Sequence, residues 1–187
     1  MSTFTSPQTI LIPAEVCERA SAFANAVTGT VNYADSNQSL DKKIRDDHFV
    51  SKLGEEAVRI LFQSRECQVE GPDYGVYDAK RKSWAADLKV NGLEVAVKTQ
   101  RRSAANRYGL SWTFQDSPIR RDPILDMPDA WVCLVVYEDL KTETECVVYP
   151  LRKIKQLVFE PPRLAKLIGK KQAVYLETLI KHGIMEK

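Results

Sequence analysis

The chain has 187 residues, 44% of them hydrophobic and 28% charged, the balance of a single globular domain whose core needs no covalent staples. Its net charge is only +2, so bulk charge does not announce a nucleic-acid binder, and any such footprint has to be local. Cysteines at 17, 67, 133 and 146 show no CxxC spacing and His48 and His182 are the only histidines, which argues against a zinc site. No basic-flanked apolar leader opens the chain, and no apolar run reaches the ~18 residues of a membrane span. The expectation is a reduced, cytoplasmic protein with no membrane segment.

Residues 13–27, "PAEVCERASAFANAV", have helical spacing with Pro13 at the start. Residues 28–41 are small and polar and read as a loop. Residues 1–41 are therefore expected as a helix-and-loop extension, and 42–187 as the main body. Residues 42–66 predict a longer helix, with Leu53, Ala57, Ile60 and Leu61 on one stripe. "CQVEGPDYGVYD" reads as one or two short strands broken at Gly71-Pro72, and Lys80, Arg81 and Lys82 as a basic turn.

The stretch "WAADLKVNGLEVAVKTQ", residues 84–100, places Asn91-Gly92 between two alternating runs, the strongest short hairpin signal. A two-residue turn there sets Val90 opposite Leu93, Lys89 opposite Glu94, Leu88 opposite Val95 and Asp87 opposite Ala96. One face then carries Trp84, Ala86, Leu88, Val90, Leu93, Val95 and Val97, and has to pack on a helix. The other carries Asp87, Lys89, Glu94, Ala96, Lys98 and Gln100. Lys98 stands diagonal to Asp87, within reach of a long side chain. A cross-strand ion pair on a solvated face accounts for Lys89 and Glu94. It accounts less well for Asp87, because aspartate is depleted in strands and here follows Trp-Ala-Ala.

Beyond the hairpin, residues 108–115, "YGLSWTFQ", predict a strand, with Trp112 read as core. Residues 116–129 form a Pro- and Asp-rich loop. "AWVCLVVYE", residues 130–138, is a buried strand containing Cys133, and "ECVVYPL" returns it. The tail from 151 is helical in composition, interrupted at Pro161-Pro162, with Lys166, Lys170 and Lys171 expected on a solvated helix face. Helix, strands, helix make the fold class α/β or α+β with a mixed sheet.

With the helix segment "KLGEEAVRILF", the aspartate segment "WAADLKV" and the segment "LEVAVKTQ" in that order, residues 43–115 resemble the PD-(D/E)XK nuclease superfamily, the restriction-endonuclease-like fold. Pro72-Asp73 followed by Asp87-Leu88-Lys89 also spells the pattern. It is set aside, because Lys89 would stand one residue before the turn. The resemblance implies a metal-dependent DNA endonuclease using Mg²⁺, with Mn²⁺ as a substitute. Asp87 would be the main ligand, Glu55 a direct or water-mediated second, and the Val97 carbonyl another oxygen. Lys98 would orient or deprotonate the attacking water, and Gln100 would position water or a phosphate oxygen. Ala96 departs from the pattern, since an acid is usual two residues before the lysine. Glu55 and Glu94 are candidates for the displaced acid, and helical phase does not firmly exclude Glu56. Metal binding without DNA is therefore expected to be weak.

Cations for the DNA backbone lie on both sides of the hairpin: Lys80, Arg81 and Lys82 before it, Arg101, Arg102, Arg107, Arg120 and Arg121 after it. Two other classes stay open. One is a catalytically inactive nucleic-acid-binding relative, motivated by Ala96. The other is a plain α+β interaction module in which Asp87 and Lys98 are structural. A homodimer is expected by analogy with small endonucleases, with loop 116–129 and the N-terminal helix as carriers of specificity or dimer contacts.

Overall fold

A computed structural model describes residues 4–28, 41–77 and 86–186. The chain runs through β1 (Gln8–Leu11), α1 (Ala14–Thr28), α2 (Asp41–Gln63), β2 (Val69–Glu70), β3 (Leu88–Val90), β4 (Leu93–Arg101), α3 (Arg102–Tyr108) and β5 (Ser111–Gln115). It continues through β6 (Trp131–Tyr137), β7 (Glu145–Val148), β8 (Arg152–Lys153), β9 (Lys171–Tyr175) and α4 (Leu176–Lys181). The main sheet has the order β1-β7-β6-β4-β3-β2, with β8 also on β6, and β5 pairs with β9 in a separate two-stranded sheet. Among these pairings β4–β6 alone is parallel. The class is α+β with a mixed sheet flanked by helices.

β6 explains the layering. Residues 132–136 are all buried, the continuous apolar run of a strand covered on both faces. Cys133 and Val135 face one core with Val16, Ala20, Leu53, Ala57 and Phe62 of α1 and α2. Val132, Leu134 and Val136 face another, with Trp112 and Phe114 of β5, Val174 of β9 and Leu179 of α4. Helices thus cover one face and the small β5–β9 sheet with α4 covers the other. Trp112 is core, as expected, and its Nε1–H donates to the Val135 carbonyl at 2.8 Å. All four cysteines are free thiols. Among the described residues no helix is long and apolar enough to cross a membrane.

The hairpin has the register read from its turn: Val90 opposite Leu93, Lys89 opposite Glu94, Leu88 opposite Val95. Asn91 (φ 48°) and Gly92 (φ 79°) are both left-handed, as a type I′ turn requires. Leu88, Val90, Val95 and Val97 are buried, whereas Leu93, beside the turn, is 42% exposed. The opposite face is not uniformly solvated: Lys89 and Glu94 are exposed, but Ala96 packs into the second core.

Several expectations are corrected. The tail is not helical: Lys171 opens β9, and the one α-helix described after residue 151 is Leu176–Lys181. Its strand pairs with β5, some 60 residues earlier in the chain; no local pattern contains that ladder. Residues 102–108 form α3, and only Ser111–Gln115 of "YGLSWTFQ" is strand. β1, which was not foreseen, is hydrogen-bonded along β7, so the N-terminal segment is part of the main sheet. Most of the 28–41 loop, Trp84, and Lys80, Arg81 and Lys82 lie outside the described residues.

One close approach sets the distance between α2 and the sheet. A Cβ built on Gly54 would lie 1.9 Å from Oγ1 of Thr99 on β4, so only glycine fits there. Thr99 Oγ1 is itself buried without a hydrogen-bond partner among the described residues. Gly54→Ala is expected to destabilise the protein by about 1–3 kcal/mol through overpacking. Thr99→Val, which replaces an unsatisfied hydroxyl by a methyl, is expected to raise stability by about 1 kcal/mol. Urea unfolding of the two variants measures both.

Candidate functional site

The site forms where β3 stops pairing with β4. Residue 87 immediately precedes β3, and its carboxylate takes the place of the missing strand: Oδ2 accepts from the Val97 amide at 2.7 Å. A strand residue's N–H and C=O face the same edge, so the Val97 carbonyl faces Asp87 too. Lys98 is the next residue on β4 and lies close enough to draw the Asp87 pKa down. Burial outweighs that pull and holds the Asp87 carboxyl above its ordinary range.

α2 supplies the second acid. The tight contact at Gly54 brings Glu55, only 4% exposed, against the same edge. Its Oε2 accepts from Lys52 Nζ at 2.5 Å and its Oε1 from Ser51 Oγ at 3.2 Å. Burial, and then the nearby Asp87 charge, push the Glu55 carboxyl up to about 7. Glu55 is buried and Asp87 half-buried, and the Asp87 charge adds to the cost of ionising Glu55.

The three candidate acids are separated clearly. Glu56 points the other way, fully buried, and binds Arg59 Nε at 2.5 Å, Tyr74 at 2.9 Å and Arg19 of α1. It locks α1 and the 71–77 segment onto α2. Glu94 is exposed near the turn. Of the three, Glu55 is coupled to Asp87.

Other expected residues are placed differently. Lys98 Nζ does not pair with Asp87; it bonds Asp122 Oδ2 at 2.6 Å and lies 5.1 Å from the centre of the Phe114 ring. Gln100 is half-buried, and its Oε1 accepts from the Ser111 amide at 2.9 Å, joining β4 to β5. Arg101 donates to the Asp46 carbonyl at 3.0 Å. Arg102 grips Glu138, and Arg121 binds Asp116 and Asp126. Arg107 is exposed, and Arg120 has a half-buried position in the loop after β5.

Sequence reasoning missed Lys52, Asp122 and Lys171. Lys52 stands three residues before Glu55, a spacing that would have suggested the pair. Asp122 was visible only as an Asp-Pro step; it caps the turn at Pro123–Asp126, accepting from the Ile124 amide. Lys171 was taken for a helix-surface lysine.

The donors at this edge are two carboxylates and a backbone carbonyl. Among the described residues no three His, Cys, Asp or Glu side chains form a metal-holding group. An oxygen set this small would leave most of the coordination of any bound ion to water.

The raised Glu55 pKa has a defined linkage. Between 4.5, its ordinary value, and about 7 the folded protein holds a proton that the unfolded chain releases, so stability falls as pH rises through that window. Between pH 5 and 8, wild type is expected to lose about 2–3 kcal/mol relative to Glu55→Gln. Urea melts of both proteins at the two pH values test this; a constant difference would mean that the folded state does not hold the proton.

No family model, no curated protein and no solved structure matches this chain, so the functional assignment rests on the geometry of this site.

Proposed function

We propose that the protein is a metal-dependent endonuclease that hydrolyses DNA phosphodiester bonds, with a restriction-endonuclease-like core. The observation that carries this is the meeting of half-buried Asp87 with buried Glu55, whose ionisation the Asp87 charge opposes, beside Lys98 on a rigid hairpin edge. Asp87, Glu55 and the Val97 carbonyl would hold Mg²⁺ or Mn²⁺. Such an ion neutralises phosphate charge and acidifies a bound water. Asp87 is held in position by the Val97 amide, and Glu55 by Ser51 and Lys52. Lys98 brings an ammonium to the same edge, where it offsets charge on the phosphorane and orients the attacking water. Asp122 holds that ammonium, and substrate phosphate would compete for it.

A second reading has its own support. Ala96 stands where an acid is usual, and Lys98 and Lys52 are each already paired with a carboxylate. These features favour a binding-only relative that grips DNA without cutting it. A homodimer would supply the second cut of a duplex under the nuclease reading.

Supercoiled plasmid with Mg²⁺ or Mn²⁺ separates these readings. Wild type is expected to nick or linearise it, and Asp87→Asn and Lys98→Ala to lose at least about 100-fold of that rate while keeping wild-type circular dichroism. DNA binding without nicking by wild type would leave the binding-only reading. Lower stability of Asp87→Asn with no DNA binding by any form would leave a plain interaction module.

A further inference from the structure

Lys171 is the first residue of β9, directly opposite Gln115 at the end of β5. The Gln115 carbonyl accepts from the Asp122 amide at 2.9 Å, and Asp122 Oδ2 bonds Lys98 Nζ at 2.6 Å. The Asp116 amide donates to the Lys170 carbonyl at 2.9 Å, fastening the loop after β5 to the start of β9. These contacts bring Lys171 and the candidate catalytic lysine to one side of the molecule. The charges that act on Lys171 are Asp47 and Lys43 of α2, Arg120 and Lys98. Asp47 already has a partner, since Lys43 Nζ bonds its Oδ2 at 2.7 Å.

The Lys171 ammonium is half-buried and takes part in no hydrogen bond or ion pair among the described residues. Burial, and the repulsion of Lys43, Arg120 and Lys98, lower its pKa against the attraction of Asp47. A structural lysine would gain by pairing or by extending into solvent. A lysine that binds an anion is arranged as this one is.

The anion has to reach Lys171 from the Lys98 side. On α2, Lys43 and Asp47 pair at four-residue spacing, and Ser51 and Glu55 pair at the next. This row leads from Lys171's neighbours to the Glu55–Asp87 edge. A chain of phosphates laid along it meets Lys98 at one point and Lys171 at another.

We infer that Lys171 binds a backbone phosphate of DNA flanking the one that Lys98 approaches. This rests on the endonuclease reading and adds a second phosphate subsite to it. Lys171 is a binding residue here, and its contribution is electrostatic and independent of base sequence.

The test uses the full chain and a fluorescein-labelled 20-base-pair DNA duplex, with anisotropy read from 50 to 200 mM salt and Ca²⁺ in place of Mg²⁺. Lys171→Met, which keeps most of the aliphatic stem, is expected to bind about 5–10-fold more weakly at 100 mM salt, with the slope of log affinity against log salt smaller by about 0.9, one phosphate's share. Lys171→Arg is expected to restore both. Wild-type affinity and slope in Lys171→Met overturn the subsite and leave the endonuclease reading standing. Failure of wild type to bind the duplex overturns both. Acetic anhydride labelling of wild type at neutral pH, read by mass spectrometry, does not depend on a variant folding. Duplex DNA is expected to protect Lys171 at least threefold, and equal labelling with and without DNA overturns the inference.

Discussion

The approach of α2 to β4 at Gly54 and Thr99 is the constraint on which the rest depends. Gly54 contributes no side chain there and only that of Thr99 stands between helix and strand, so the residue after Gly54 is delivered to the sheet edge rather than to solvent. Leu53, Ala57, Val58 and Leu61 then pack the rest of the helix onto β4, β6 and β7. The same phase turns Glu56 toward α1, where Arg19, Arg59 and Tyr74 neutralise it. Adjacent glutamates thus have opposite duties: one fastens a helix, the other faces a second carboxylate.

The early end of β3 is the complementary feature. Had β3 continued, the Val97 amide would have bonded a strand carbonyl. Instead the Asp87 carboxylate accepts that bond, and the edge opens where Glu55 arrives. The electrostatic consequence is two acids that both titrate above their ordinary range because protein has replaced water around them, with the Asp87 charge adding to the effect on Glu55. Cations surround them: Lys52 from the helix, Lys98 from β4, and Lys171 further along. A net charge of +2 concealed this, because the charges are sorted locally.

Much of the central architecture is legible in the sequence. Asn91-Gly92 specified the hairpin register because left-handed φ at both turn positions admits few alternatives. The stripe on α2 and the unbroken β6 run followed from burial patterns of one and two covered faces. The tail was misread because Lys171–Tyr175 becomes a strand only through β5, and local composition cannot report a ladder to a distant segment. Gln100, expected to position water or a phosphate oxygen, also accepts from the Ser111 amide, a partner met only after the chain turns through α3. Asp122 lay in a loop whose path no periodicity describes.

The sequence by itself determined which residues form the hairpin and which face of α2 is apolar; it placed Asp87 within a strand opposite Ala96, whereas β3 begins only at Leu88. The hairpin and that apolar face follow from short-range geometry: turn dihedrals, the two-residue alternation of strands and the 3.6-residue turn of a helix. Tertiary structure alone decided that Glu55 rather than Glu56 meets Asp87, that Lys98 is held by Asp122, and that Lys171 shares their side of the molecule. Each of these joins segments far apart in the chain. Charge interactions depend on distance and burial, and neither exists until the layers have packed.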